Sequence, residues 1–166
     1  MTGKTHIAAG AVVGLAAAWL MQQRGLNISS AEAYFVGGMG ALGGLIPDID
    51  IPTSKLGSKL KPLSSVIKVV FGHRSITHAP VVYIALGLLF YKLGTWCGLV
   101  FCIGALSHLL LDALNKKGIP LLYPLSKKHF RIAKLSSKGI ADKVLCVAAY
   151  VLVVILCKML WGGAFS

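Results

Sequence analysis

The chain has 166 residues, of which 56% are hydrophobic and only 13% are charged. Soluble domains carry about a quarter charged residues, so this composition, with a mean hydropathy of +0.77, excludes a disordered tail and predicts an integral membrane protein. The 17 lysine and arginine residues outnumber five acids, and the resulting net charge of +12 favours contact with anionic lipid headgroups or phosphate.

Five apolar stretches predict an all-α membrane bundle of about five helices. They comprise residues 7–22, 33–47, 79–91, 95–114 and 144–161. A helix needs about 20 residues to cross the hydrocarbon core, so only the last two are comfortable spans, and we expect three to five spans. Alternatively, the first stretch is a cleavable signal peptide. We expect one domain over residues 1–166, with its motifs within 1–132 and a generic last helix.

Glycines in the first two stretches predict close helix packing. Gly10 and Gly14 form a GxxxG pair, and five glycines fall between residues 37 and 44. Small residues allow helix backbones to approach each other in lipid. The pattern therefore favours a compact bundle.

Basic residues are concentrated in two connections, which predicts the orientation of the chain. The connections after the second and fourth stretches, together with Lys4, hold fourteen of the 17 cations. Cytoplasmic connections retain positive charge, so we expect a cytoplasmic N-terminus. The run from Leu60 to Val70 is either a short amphipathic element on the bilayer surface or a solvated loop.

The polar residues that interrupt the apolar pattern fall at the ends of the predicted helices. Ionisable groups near hydrocarbon are costly and usually have a partner or a task. Under the predicted orientation, the seven candidates all lie at the cytoplasmic ends of different helices. They are His6, Asp48, Asp50, His73, His78, His108 and Asp112.

The types and spacings of these residues favour a shared metal site. His108 and Asp112 are four apart and share one helix face. Asp48 and Asp50 follow Pro47, and in extended backbone they would point the same way. Four imidazoles and three carboxylates suit a borderline divalent cation better than calcium or magnesium. We predict one or two ions, with zinc preferred and manganese or iron as alternatives.

Simpler explanations exist for each residue taken alone. His108 with Asp112 is also the pattern of an ion pair at a helix end, and Asp48 with Asp50 that of a turn or a cap. His6 alone is typical of a satisfied polar residue. The occurrence of four histidines and three aspartates together at one predicted membrane face makes the metal site the preferred hypothesis.

The predicted chemistry is hydrolysis of a phosphate ester by metal-activated water, with a carboxylate as bridging ligand or base. Arg74 lies where its guanidinium would either hold a phosphate bidentately or contact lipid headgroups. The basic connection over residues 116–143 lacks an aromatic-interleaved signature, so we expect no nucleic-acid partner. The predicted catalytic residues are Asp48, Asp50, Asp112 and Arg74.

Several segments in order resemble a known family. They are His6, LIPDIDIPTS at 45–54, HRSITH at 73–78, SHLLLD at 107–112 and GIPLLYP at 118–124. Over residues 1–132 they resemble the YdjM-like family of inner-membrane-associated hydrolases, which is distantly similar to the zinc-dependent phospholipase C and single-strand nuclease superfamily.

This resemblance implies phosphoester chemistry and makes the same seven residues the metal-ligand candidates. Two positions depart from the family pattern, because Ser75 stands where relatives often have Gly and Ala79 where they often have Ser. Both flank the ligands and leave the set intact. The resemblance also implies control of the gene by the DNA-damage (SOS) response, without implying a protein contact.

Two other functions compete with hydrolysis of a phosphate-containing amphiphile. The first is a non-enzymatic membrane or stress-response protein with a structural metal site, which a full protein shell without an open water position would favour. The second is a metal or proton transporter. We rank it third because its ligands would continue down the helices instead of stopping at one end.

Overall fold

The computed structural model describes residues 1–72, 76–126 and 128–162, which contain six α-helices, two short 3-10 helices and no β-strand. The all-α prediction is confirmed. The α-helices are α1 (Gly3–Gln23), α2 (Ser30–Gly43), α3 (Lys61–Phe71), α4 (Pro80–Lys92), α5 (Trp96–Ala113) and α6 (Ile140–Gly162). The 3-10 helices are Ile46–Asp50, between α2 and α3, and Ile76–His78, before α4.

Three of the described helices, α1, α5 and α6, are long and apolar enough to cross a membrane. The three candidate spans lie within the predicted range of three to five. The expectation that the first stretch is too short for a comfortable membrane span is wrong. The helix runs beyond the apolar stretch at both ends, to Gly3 and Gln23, and reaches 21 residues. Thr5 and His6 lie within this extension and are buried against other helices, so polar side chains there do not end the helix.

Helix α1 is central to the bundle, since it contacts α2, α5 and α6, while α2 and α4 also contact α5. The apolar core at this junction includes Leu15, Val36, Val100 and Leu160. The first apolar stretch is therefore a packed helix of this bundle. The last stretch also packs against the bundle, because Leu160 of α6 is fully buried.

Gly40 lies where α1, α2 and α5 approach most closely. A Cβ atom on Gly40 would overlap the carbonyl oxygen of Gly10, and a Cβ on Gly104 would overlap the carbonyl oxygen of Gly40. Only glycine permits backbones to meet at this separation. The close packing that the glycine pattern predicts is present at this crossing.

Helix α3 resolves the two alternatives for the run from Leu60 to Val70 in favour of a helix. Pro62 stands in its first turn. Backbone N–H groups there have no acceptor within the helix, so proline costs no helical hydrogen bond at this position. Leu63, Val66 and Val69 are exposed. The helix therefore presents apolar side chains outward, as expected of an element that lies against a bilayer surface.

Ser29 begins α2 with a capping box. Its hydroxyl accepts a hydrogen bond from the Glu32 backbone N–H, and the Glu32 carboxylate accepts one from the Ser29 backbone N–H. Hydrogen bonds from Ser29 lower the pKa of Glu32. This cap stabilises α2 at the end of the helix opposite its Pro47 connection.

Candidate metal centre

The described ligand candidates come together at one end of the bundle. His73 and Arg74 lie outside the described residues. The 3-10 helices and the ends of α1 and α5 supply the other six, which are His6 in the first turn of α1, Asp48 and Asp50 in the first 3-10 helix, His78 in the second, and His108 and Asp112 in the last turns of α5.

Proline shapes the two 3-10 segments that carry site residues. Pro47 is the second residue of the first one, and because proline disfavours the α conformation of the residue before it, α2 ends before this point. Pro80 stands in the first turn of α4, which leaves His78 just before that helix. The side chain of His78 is fully buried, so this segment is packed against the rest of the site.

Two histidines and two aspartates form an alternating set of contacts. His78 Nε2 lies 3.7 Å from Asp48 Oδ1 and 3.8 Å from Asp112 Oδ2. His108 Nε2 lies 3.7 Å and 3.9 Å from the same two oxygens. These separations exceed hydrogen-bond lengths. Two atoms bound to one zinc ion at about 2.1 Å and at the tetrahedral angle lie about 3.4 Å apart, so each of these four separations is only slightly longer than that between two ligands of one ion.

His6 adds a further ligand on the other side of His108. Its Nε2 lies 3.4 Å from Asp112 Oδ1, and its ring stacks on the His108 ring with centroids 3.6 Å apart and planes 16° apart. Two ligand groups result, each with one ligand atom per residue within 4.8 Å of the others. They are His6 with Asp48 and His108, and His78 with His108 and Asp112.

A backbone carbonyl orients His108 between these groups. The Nδ1–H of His108 donates to the Gly44 carbonyl oxygen at 2.7 Å. Nε2 then carries the lone pair and points at the carboxylates, where it has no hydrogen-bond partner among the described residues. Metal-binding histidines are commonly oriented through the other ring nitrogen in this way.

Exposure differs sharply within the site. The Asp48 side chain is 17% exposed, whereas the other four side chains of the two groups are at most 1% exposed. The cluster is therefore closed on the side of the helices and open towards Asp48. Solvent reaches the cluster most directly from there.

Asp50 departs from the sequence expectation. It is fully buried, but among the described residues it belongs to neither ligand group. The expectation that Asp48 and Asp50 point the same way assumed extended backbone, whereas both lie in a 3-10 helix. Residues two apart in such a helix point in different directions, so Asp48 joins the described histidines in a ligand group while Asp50 does not.

Asp142, at the start of α6, is a buried acid that the sequence interpretation left out. One of its oxygens accepts hydrogen bonds from the Thr5 hydroxyl at 2.7 Å and the Thr2 backbone N–H at 3.2 Å. The other oxygen accepts from the Lys138 backbone N–H at 2.9 Å. The available signal was its position as one of five acids, at the head of an apolar helix. Its contacts tie α6 to the turn of α1 that carries His6.

The amino group of Met1 also lies at the site, 2.7 Å from Asp112 Oδ1. Asp112 thus contacts both α1 and the residues just before it, because the same oxygen lies near His6 Nε2. These contacts hold the ends of α1 and α5 together.

The full sequence matches the family described as YdjM inner membrane protein over residues 1–164. This chain belongs to that family. The membership agrees with the resemblance seen in the sequence motifs. Together with the three described helices that are long and apolar enough to cross a membrane, it supports a location in the membrane.

Individual YdjM relatives share about two fifths of their aligned residues with the chain. The protein YvsG of Bacillus subtilis (strain 168), described as uncharacterized, is 38% identical over 131 residues, which cover 75% of this chain and 74% of YvsG. The inner membrane protein YdjM of Escherichia coli (strain K12) is 38% identical over 118 residues, which cover 64% of this chain and 59% of that protein. No solved structure matches the chain.

Proposed function

We propose that this YdjM-family protein is a metal-dependent hydrolase that cleaves a phosphate ester in a lipid or another amphiphile at the cytoplasmic face of the inner membrane. The observation that carries the proposal is the alternating arrangement of two imidazole nitrogens and two carboxylate oxygens at 3.7–3.9 Å. We propose zinc as the ion, since imidazole and carboxylate suit it, with one ion or two in the centre.

The geometry fits an ion better than direct ion pairs. A charged imidazole–carboxylate pair closes to about 2.7–2.9 Å, yet none of the four separations between His78, His108 and the two carboxylates is that short. The stacked His6 and His108 rings favour neutral imidazoles, because two adjacent imidazolium ions repel each other. Neutral imidazole is the form that binds a metal.

Each residue has a distinct task in the proposed reaction. His108 and Asp112, both buried, hold the centre on α5, and Gly44 keeps His108 Nε2 directed at it. Bound there, a divalent ion would activate water and offset negative charge on the phosphate. Asp48 is the carboxylate nearest to the solvent side, so we assign it the acceptance of the proton that the attacking water loses.

Arg74 and His73 belong to the proposal on sequence grounds. Arg74 would bind two phosphate oxygens with its guanidinium, and His73 would complete the ligand set. We propose Asp50 as a supporting buried acid near the centre, because it shares the 3-10 helix of Asp48.

The location of the polar residues argues against transport. Every His and Asp of the two ligand groups lies at one end of the described helices. Of the other described histidine and acid residues, Glu32 and His129 are exposed, and the buried Asp50 and Asp142 lie at the same end of the bundle as the ligand groups. A transport route would require ligands spaced through the membrane.

The proposal is tested by metal content and hydrolysis in the same preparation. Protein purified in mild detergent without chelators or a histidine tag is analysed by plasma mass spectrometry. It is then incubated with phospholipids and isoprenoid phosphates, and ³¹P NMR follows the phosphorus products. We expect near-stoichiometric metal and cleavage of at least one amphiphile.

Two matched variants sharpen this test. His108→Ala removes a residue shared by both ligand groups, whereas His129→Ala removes an exposed histidine that hydrogen-bonds to the Lys117 carbonyl and belongs to neither group. We expect the first to lose metal and hydrolysis and the second to keep both. Metal retained by His108→Ala would overturn the ligand assignment. Full metal loading with no hydrolysis of any phosphate ester would favour a structural role for the ion.

A further inference from the structure

A cleft with a volume of about 620 Å³ opens beside the candidate metal centre. The start of α1, the segment after the first 3-10 helix and the start of α6 form its walls. Asp142 in this cleft binds the hydroxyl of Thr5, the neighbour of His6, so the cleft and the centre share the first turn of α1. The lining residues include Lys4, Lys55, Lys138 and Lys143.

The charge of the cleft is strongly unbalanced. Four exposed lysines face a single carboxylate, that of Asp142. Both Asp142 oxygens are already engaged by hydrogen bonds from Thr2, Thr5 and Lys138. Within the described part of the chain, none of the four ammonium groups forms a salt bridge. The cleft therefore presents an uncompensated cationic lining, which complements an anion.

Part of the cleft lining is apolar and continues along α6. Cys146 and Val147 line it, and Val147 is 63% exposed. Val144 and Val151 extend the same exposed apolar surface along a helix long enough to cross the membrane. A ligand that fills this site thus needs an anionic group at one end and a hydrocarbon chain at the other.

We infer that this cleft binds the headgroup phosphate of an anionic phospholipid, with Lys4, Lys55 and Lys143 around the phosphate and an acyl chain against α6. The lipid is held as a resident ligand from the surrounding leaflet. Its binding requires neither metal nor turnover, so the inference goes beyond the proposed hydrolysis and can fail or succeed independently of it.

Native mass spectrometry of the purified full chain tests this inference, with phosphatidylglycerol and phosphatidylcholine of identical acyl chains as probes. The triple variant Lys4→Gln, Lys55→Gln and Lys143→Gln removes three cleft charges. The matched control Lys59→Gln, Lys68→Gln and Lys134→Gln removes three exposed charges that do not line the cleft. Lys138 is left unchanged because its backbone binds Asp142.

We expect the unmodified protein to prefer phosphatidylglycerol, and the cleft variant to lose at least about tenfold in affinity, since each lysine near an anionic lipid contributes about fivefold. The control variant should stay within about twofold of the unmodified protein. Equal losses in both variants would overturn the inference, because they would indicate diffuse surface attraction. Absence of a preference in the unmodified protein would also overturn it, as would displacement of the lipid by millimolar inorganic phosphate.

Two further measurements keep the result interpretable. Metal content is determined for each variant, with and without a chelator, so that a defect in the metal centre is recognised separately from lost lipid binding. If the triple variant does not fold, the single variant Lys143→Gln is compared with Lys134→Gln. A loss of phosphatidylglycerol confined to Lys143→Gln supports the site, and equal retention in both overturns it.

Discussion

The carbonyl oxygen of Gly44 accepts a hydrogen bond from His108 Nδ1 at 2.7 Å. The same glycine packs against α1 so closely that a Cβ atom on it would overlap the carbonyl oxygen of His6. One backbone position therefore orients His108 and sets how near His6 comes to it. The stacked contact between the two imidazoles depends on this position being glycine.

Substitution of Gly44 by alanine should weaken metal binding without removing any ligand. The added methyl group displaces the His6 backbone or the Gly44 carbonyl, and loss of such an orienting contact typically lowers metal affinity about 10–100-fold. Competition with a fluorescent metal indicator measures the change. Gly38→Ala is the matched control, since a Cβ there meets nothing within 4 Å. Equal affinities in the two variants would contradict this role for Gly44.

Gly40→Ala should destabilise the bundle itself. A Cβ at Gly40 would collide with the backbone of Gly10, so α1 and α2 would have to separate. Overpacking of this kind costs about 1–3 kcal/mol of unfolding free energy. Thermal unfolding in detergent, followed by circular dichroism, should show a lower Tm than for Gly38→Ala. An unchanged Tm would mean that the helices adjust at this crossing without loss.

Thr5→Val and Asp142→Asn should each lower stability, and their effects should be coupled. The Thr5 hydroxyl donates directly to the buried Asp142 carboxylate, and a hydrogen bond to a charged group contributes about 1.5–3 kcal/mol. Unfolding of both single variants and the double variant gives the coupling energy. Strict additivity would indicate that the two side chains do not interact in the membrane-inserted protein.

Removal of bound metal should lower the thermal stability of the protein. A ligand that binds only the folded state stabilises it by about 4 kcal/mol when its concentration is a thousand times its dissociation constant. Tm is measured before and after dialysis against a chelator, and again after zinc is restored. His108→Ala provides the comparison, because its Tm should respond to neither treatment. A chelator effect of the same size in His108→Ala would locate the ion elsewhere.

Local sequence features predicted most of the helices and the region of the site. The helices could be predicted because apolar runs and glycine spacings are patterns among residues close together in the chain. The polar candidates for the site stand at the ends of those runs. The four-residue spacing of His108 and Asp112 also placed both on one face of α5, since helix geometry determines that relationship. Their common location at one end of the bundle followed from the alternating direction of successive helices.

Sequence by itself thus determined an all-α membrane protein with histidines and aspartates near the ends of its helices. Tertiary structure decided that Asp48 joins the ligand groups formed by the described histidines and Asp50 does not, because a 3-10 helix replaces the expected extended backbone. It also decided the burial of Asp142 against Thr5. These features depend on distances between separate helices and on side-chain directions in irregular segments. Such distances are determined by how the backbones pack, which no local pattern specifies.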